Sequence, residues 1–308
     1  MVKCSPVLAN GTQTQHDNIQ KYFSKTVLGK ISQPATIIDC NGKILVWHLP
    51  NILSPSRVNF INTATTALRD LLLRSIPNAS DQKHSWRSDA FVVPEGGGIF
   101  GAGRLTVSPG YFMLRRERLQ DPLVVSASYS QDLVQKWLEA MSNTEFFWNA
   151  ITAVVAPELF ETGYLAISEV LNQTQQPKRP VPIHQWPSIF SGLEIISNRT
   201  TFTHRDPGGA PSHYDLLVSL GIGHNATFSI EDIEAEFGYG PGTMNFISGK
   251  VLAHSVGPWK TGERFVIAHF MKDKVHDRVG VSRPGFPVQT DYLNLLGHKP
   301  KKQLRVKR

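Results

Sequence analysis

The chain has 308 residues, of which 41% are hydrophobic and 19% are charged, and this globular composition excludes a disordered chain. No apolar run reaches the ~18 residues of a membrane span, the polar N-terminus lacks the apolar stretch of a secretory signal, and two cysteines exclude a disulfide framework. We therefore expect an intracellular protein in a reducing compartment, and its net charge of +7 favours a polyanionic partner such as nucleic acid.

The N-terminal part of the chain is predicted to begin with a flexible lead-in over residues 1–30. Residues 35–49 then hold two β-rich runs joined by Asn41-Gly42. This pair suits a type I′ turn, whose two central residues need positive φ angles, so the segment predicts a β-hairpin.

A helix is predicted after the hairpin, with Ser54 as its N-cap and Pro55 as its first residue. Apolar residues recur there at helical spacing: Phe60, Ala64, Leu68 and Leu72. Residues 77–127 are rich in glycine, proline and short β runs.

Two further helices are predicted over residues 130–142 and 144–173, with a break at Pro157. Residues 174–187 contain four prolines and are predicted to be a connecting loop. From Ile189 onward, short β runs alternate with turns. Helices followed by short antiparallel strands predict an α+β protein in which helices support a sandwich or barrel.

The sequence "THRDPGGAP" contains His204 and Asp206 with one residue between them. At a strand end, residues i and i+2 project to the same side, so both side chains can reach one metal ion. Behind them, Pro207-Gly208-Gly209 would let the chain turn tightly over the metal. A mononuclear non-haem Fe(II) site needs two imidazoles and one carboxylate, with the remaining positions open.

The third ligand is predicted to be His254, in the β-rich run "GKVLAHSV". Ten residues later, Arg264 stands at the start of another strand, where its guanidinium could bind the far carboxylate of a dicarboxylic co-substrate. Each piece occurs often by chance, and a lone strand histidine is usually structural. The ordered set favours a metal site, and the main alternative is a relative that keeps the fold without activity.

The segments "NRTTFTHRDPGGAPSHYDLLVSLG" and "YGPGTMNFISGKVLAHSVGPWKTGERFVIAHFMKDKVHDRVG" resemble the TET/JBP group of Fe(II)/2-oxoglutarate-dependent dioxygenases, and most closely the short TET-like proteins of mushroom-forming fungi. The resemblance implies a double-stranded β-helix (a jelly-roll variant) with its core at about 189–282 and helical support at about 54–172. It implies one dioxygenase domain over 31–290, followed by a basic tail at 291–308.

The same resemblance implies the cofactors Fe(II), 2-oxoglutarate and O2. Iron would be held by His204, Asp206 and His254, and 2-oxoglutarate would be anchored by Arg264. The implied reaction is oxidation of a methylated base in DNA, with 5-methylcytosine or N6-methyladenine as substrate. Gly209 stands where the animal enzymes place a base-contacting asparagine, which leaves the identity of the base open.

Further contacts are predicted around the iron. Asn198 and Arg199 could reach the co-substrate carboxylates. A target base must flip out of the duplex to reach the iron. Phe270 lies six residues after Arg264 and so on the same face of the strand. The TET resemblance implies that the flipped base stacks on an aromatic residue at this position, and ordinary core packing is the alternative for Phe270. Lys272 and Asp273 follow, and Asp273 could accept a hydrogen bond from an exocyclic amine.

The expected partner is methylated duplex DNA, and the expected location is the nucleus, with no membrane attachment and no obligate protein partner. Six of the last ten residues are lysine or arginine, which suits a nuclear address, a phosphate-binding arm or a solvated end. Two alternatives stay open: the same chemistry on RNA or protein, and an inactive DNA-binding relative associated with mobile elements.

Overall fold

The computed structural model describes residues 28–76, 90–112, 117–118, 121–173, 186–206 and 208–295. The strands in these ranges are β1 (Gly29–Ile31), β2 (Ala35–Ile38), β3 (Ile44–Leu49), β4 (Gly103–Val107), β5 (Gly192–Ser197), β6 (Thr201–His204), β7 (Asp215–Ile222), β8 (Thr227–Ile230), β9 (Ala235–Gly238), β10 (Thr243–Ile247), β11 (His254–Val256) and β12 (Glu263–Phe270). The α-helices are α1 (Pro55–Thr66), α2 (Arg69–Arg74), α3 (Asp132–Val155), α4 (Pro157–Gln173), α5 (Asp273–Val279) and α6 (Gln289–Leu295). No helix of the described ranges is both long and apolar enough to cross a bilayer.

Parts of four expectations lie outside the described residues. These are the first 27 residues of the lead-in, most of the proline-rich loop, Pro207 and the basic tail from residue 296. The lead-in ends in a strand, because β1 pairs in parallel with β9.

The predicted hairpin forms between β2 and β3, but its turn differs from the type I′ expectation. Gly42 has a φ of 79°, while Asn41 is not among the residues with positive φ. The carboxylate of Asp39 accepts hydrogen bonds from the backbone N–H groups of Asn41 and Lys43, both at 2.8 Å. This side-chain cap stabilises a longer turn in which only the glycine needs the left-handed region.

Helix α1 begins as predicted, because the Ser54 hydroxyl caps the backbone N–H of Arg57 at 3.3 Å. The predicted apolar face is displaced by one residue at its start. Phe60 is exposed, and Ile61 is buried in its place, while Leu68 and Leu72 are buried as expected. Helix α1 ends at Thr66 and α2 begins at Arg69, so one continuous helix does not extend over the whole segment.

Helices α3 and α4 meet at the predicted break, where Pro157 is the first residue of α4. Proline cannot donate the backbone hydrogen bond that a continuous helix would require. Helix α3 buries a stripe that includes Trp137, Met141 and Trp148, and this stripe packs on the sheet.

Strands β5 to β12 pass between two facing sheets, as a double-stranded β-helix requires. One sheet has the order β2-β3-β10-β7-β12-β5-β4, and the other has the order β1-β9-β8-β11-β6. We call them the large sheet and the small sheet. Mixed helices and antiparallel sheets confirm the predicted α+β class.

Side chains along β12 point alternately into two different apolar clusters. Phe265 and Ile267 face the helices and belong to the larger apolar cluster, whereas Val266 belongs to the cluster between the two sheets. Because side chains alternate along a strand, Arg264 and Phe270 share the inner face with Val266. The space between the sheets is therefore where the site must be sought.

Candidate metal centre and co-substrate pocket

His204 and His254 are brought together by strand pairing in the small sheet. His204 ends β6, and His254 begins β11 as its direct register partner. The two imidazole centroids lie 4.3 Å apart. Residues separated by 49 others along the chain thus become neighbours because the two strands are antiparallel.

Backbone carbonyls fix the orientation of both rings. His204 Nδ1 lies 2.9 Å from the carbonyl of Phe202, and His254 Nδ1 lies 2.9 Å from the carbonyl of Leu252. A carbonyl only accepts, so each Nδ1 carries the proton and each Nε2 offers a lone pair. This arrangement of the outer nitrogen is typical of metal-binding histidines.

Asp206 completes the group. Its carboxylate oxygens lie 3.6 Å from His204 Nε2 and 3.5 Å from His254 Nε2. The three ligand atoms all lie within 4.8 Å of one another, a spacing that one metal ion can bridge. Two imidazole nitrogens and one carboxylate oxygen are the donor set of mononuclear non-haem iron, so these residues fit Fe(II).

A second carboxylate lies beside the first. A side chain at Gly249 would overlap the carboxylates of both Asp206 and Asp215, so only glycine fits between them. Burial raises the pKa of Asp215, and the charge of Asp206 raises it further, while Lys272 acts in the opposite direction. The backbone N–H of Asp206 donates to the carbonyl of Gly249 at 2.8 Å, which holds this loop against the site.

Arg264 is 2% exposed and lies at the start of β12, inside the sandwich. Its guanidinium stacks 4.9 Å from the ring centroid of Tyr239 and 5.9 Å from that of Trp259. Its Nε has no hydrogen-bond partner, and no carboxylate among the described residues pairs with it. Burial lowers the pKa of Arg264. A buried cation without a described carboxylate partner is suited to bind an anionic group.

The wall around Arg264 is polar and neutral. Burial raises the pKa of Tyr239 to about 12, and burial together with the charge of Arg264 lowers the pKa of His224 to about 4. Both side chains are therefore uncharged at neutral pH. They leave the guanidinium as the charged group of this pocket, which can accept a carboxylate.

Asn198 supports the backbone of Arg264. Its side-chain oxygen accepts from the N–H of Arg264 at 3.1 Å, and its side-chain nitrogen donates to Glu263 at 2.9 Å. The guanidinium of Arg199 lies 5.8 Å from the ring centroid of Phe91. Direct contact of Asn198 or Arg199 with the co-substrate stays a prediction.

Phe270 and Lys272 lie together at the end of β12. The Lys272 ammonium is 4.6 Å from the centroid of the Phe270 ring. Phe270 is the register partner of Gly192 on β5, where any side chain would overlap the aromatic ring. Gly208, in the loop after the metal ligands, packs as closely on the Lys272 side chain.

Asp273 begins α5 and is engaged by Arg283. The Arg283 Nε donates to the Asp273 carboxylate at 2.6 Å, and this hydrogen bond is the main reason that the pKa of Asp273 is lowered. The backbone N–H of Asp273 donates to the carbonyl of Gly208 at 2.8 Å, so α5 is held against the loop that follows Asp206.

Four residues near the site carry no motif in the sequence: Asp215, Tyr239, Trp259 and Asp232. Tyr239 and Asp232 come close to the site through strand pairing, so spacing along the chain gave no signal for them. Arg205 was visible within the motif, but spacing alone assigned no role to the residue between two ligands.

A protein-family model and solved structures both match this chain. The family model Tet_JBP, described as the oxygenase domain of the 2OGFeDO superfamily, matches residues 109–273, which is more than half of the chain. The solved structure of NgTET1 in complex with 5mC DNA shares the fold, with a TM-score of 0.50, 13% identity, and coverage of 93% of this chain and 96% of that one. The structure of OsALKBH1 matches at a TM-score of 0.33 and 10% identity, over 77% of this chain and 100% of that one. No curated protein sequence matches significantly.

Proposed function

Because the chain belongs to the TET/JBP oxygenases of the 2-oxoglutarate- and Fe(II)-dependent superfamily, we propose that it oxidises the methyl group of a methylated base in duplex DNA. The observation that carries this proposal is the combination of the His204, Asp206 and His254 cluster with the buried guanidinium of Arg264, whose Nε has no hydrogen-bond partner among the described residues. Iron, 2-oxoglutarate and O2 are the reactants of this superfamily. In sum, one methyl C–H becomes C–OH while 2-oxoglutarate and O2 yield succinate and CO2.

Each residue of the site has a proposed task. His204, Asp206 and His254 would hold Fe(II) through their imidazole nitrogens and carboxylate oxygen. When bound, the iron supplies the oxidising power toward the C–H bond. Arg264 binds the far carboxylate of 2-oxoglutarate, which supplies the anion that the buried guanidinium requires.

The base would reach the site by flipping out of the duplex. Phe270 would stack on it, and the Lys272 ammonium, a donor without acceptor capacity, would bind an acceptor on the edge of the base. Asp273 was predicted to accept from an exocyclic amine. For that contact it would use the carboxylate oxygen that Arg283 leaves free.

The substrate assignment has two supports of its own. The chain has a surplus of seven positive charges, and NgTET1, which shares the fold, has been solved with 5mC DNA. The nuclear location and the closeness to fungal TET-like proteins belong to the same proposal. Methylated cytosine and methylated adenine are both candidate substrates.

The test is mass spectrometry of nucleosides after incubation with duplexes that carry 5-methylcytosine, N6-methyladenine or no modification. We expect an oxidised base from a methylated duplex, stimulated succinate release, and loss of both with His204→Ala. Succinate release that RNA or protein stimulates, but DNA does not, would reassign the substrate. Retention of DNA without any turnover would identify an inactive binding protein.

A further inference from the structure

Arg205 lies between two ligands of the candidate metal centre and is 5% exposed. His204 and Asp206 project toward the centre, so the intervening side chain projects to the other side. There its guanidinium forms a paired hydrogen bond with Asp232, at 2.6 Å from Nη1 and 2.8 Å from Nη2. Nη1 also donates to the carbonyl of Val251.

The contacts of Asp232 lead to the third ligand. Its carboxylate accepts from the backbone N–H of Ala253 at 2.6 Å, directly before His254. Leu252 lies between the two residues held in this way, and its carbonyl fixes Nδ1 of His254. The Arg205–Asp232 pair therefore connects the backbone beside one histidine to the backbone beside the other.

The strands themselves give little support at this point. Among the described residues, β6 is the last strand of the small sheet and pairs with β11 alone, with two register partners and a shift between them. Edge strands fray because one side lacks a neighbour. A bidentate, buried ion pair between Arg205 and Asp232 adds a restraint at the C-terminal end of β6, where few backbone hydrogen bonds join the strands.

We propose that Arg205 and Asp232 are positioning residues that set the distance between the iron ligands on β6 and β11. The inference rests on the proposed metal centre. Because the pair lies behind the ligands and contacts none of the reacting atoms, it acts through the backbone: Arg205 directly follows His204, and the pair holds Val251 and Ala253 just before His254. Removing an outer-shell partner of a metal ligand typically weakens metal binding about 10–100-fold.

The test measures Co(II) binding to the purified full chain by its visible absorption, with thermal unfolding of the same samples. Arg205→Lys keeps the charge but loses the paired geometry, and Asp232→Asn keeps the shape but loses the charge. We expect each to weaken Co(II) binding at least about tenfold and to alter the absorption bands.

The matched control is Glu145→Gln. Glu145 forms the other buried carboxylate pair, with His269 at 3.1 Å, on the helix-facing side of β12. This variant should lower the unfolding temperature while Co(II) affinity and spectrum stay as in the wild type. If Arg205→Lys does not fold, Asp232→Asn carries the comparison.

Three results are decisive against the proposal. Folded variants of the pair with wild-type affinity and spectrum would overturn it. An equal loss of affinity in Glu145→Gln would overturn it as well, since the effect would then be one of general stability. A wild-type chain that binds no Co(II) would remove the metal centre itself, and with it both this inference and the proposed function.

Discussion

At the scale of single residues, the chemistry depends on charges that the fold keeps away from water. Arg264 is buried beside two aromatic rings and lacks a carboxylate partner among the described residues. His213 and His224 are buried nearly as deeply, and they are neutral in the folded chain. Each arrangement predicts a measurable response when the charge is removed or the pH is changed.

Arg264→Ala should weaken 2-oxoglutarate binding on the order of tenfold to a hundredfold, since a charge-assisted hydrogen bond contributes ~1.5–3 kcal/mol. DNA affinity should change little. Calorimetric titration with 2-oxoglutarate and a separate DNA-binding assay give the two values. Loss of DNA binding at unchanged co-substrate affinity would move the arginine to a phosphate-binding surface.

Stability should fall as the pH drops below about 6.5, the usual pKa of histidine. Burial lowers the pKa of His213 to about 3 and that of His224 to about 4. Below about pH 6.5, the unfolded chain therefore binds protons at these histidines that the folded chain does not bind. Each histidine then contributes a slope of ~1.4 kcal/mol per pH unit, with stability rising with pH between about 4 and 6.5. Urea unfolding at several pH values measures the slope. His224→Gln should make it shallower, and identical slopes would contradict the assignment.

At the scale of elements, two contacts join the strands and helices that carry the site. The Glu145 carboxylate on α3 meets His269 on β12, and both side chains are fully buried. On the other face of β12, the Phe270 ring packs closely against Gly192 of β5. The first contact supports the sheet from outside, and the second shapes the predicted base-binding surface.

Glu145→Ala should destabilise the chain by about 1–3 kcal/mol, because the buried Nε2 of His269 loses its hydrogen-bond partner. Phe146→Ala is the matched control: the neighbouring side chain is 60% exposed, and its removal should change stability by less than ~0.5 kcal/mol. The denaturant midpoints of the two variants measure this difference in stability. Equal midpoints would mean that the pair does not support the sheet.

Gly192→Ala should displace the Phe270 ring and lower turnover on methylated DNA, with little change in the unfolding temperature, because a ring can tilt more easily than backbone can move. Gly240→Ala provides the control, since an added side chain there meets nothing within 4 Å. Kinetics on a methylated duplex compare the two. Unchanged kinetics in Gly192→Ala would argue against base stacking on Phe270.

At the scale of the whole molecule, net charge is the property that bears on DNA. The chain has a formal charge of +7, and six lysines and arginines fall within residues 299–308, outside the described residues. Charges of this kind bind phosphates without reading sequence. They should therefore set affinity and its salt dependence, while the site between the sheets selects the base.

DNA affinity should fall steeply with salt, with a log–log slope of about −0.9 per phosphate neutralised. Deleting residues 299–308 should weaken binding to all duplexes alike and make the slope shallower. Fluorescence anisotropy over a salt series measures both chains. A flat salt dependence in the full chain would favour the protein-directed alternative.

The sequence by itself determined what is local. The helical spacing of apolar residues predicted α3 and α4, and Pro157 predicted the break between them. Ser54 predicted the start of α1. These signals could be read because helix signals act over a few residues. The His204 and Asp206 pair was equally visible, since residues i and i+2 share a side of a strand. Local signals failed where burial depends on residues distant in sequence. At Phe60, the helical spacing did not indicate which face of the helix packs on the rest of the protein.

Only the tertiary structure decided how the remaining groups meet. Strand pairing places His254 opposite His204, encloses Arg264 with Tyr239 and Trp259, and joins Arg205 to Asp232 across the small sheet. The contacts of His204 with His254, Arg264 with Tyr239 and Arg205 with Asp232 connect residues tens of positions apart, so their geometry is not contained in local spacing. Burial is the second reason. The charge state of a guanidinium or a carboxylate depends on whether water reaches it, and these groups are shielded from water only in the folded chain, between the two sheets.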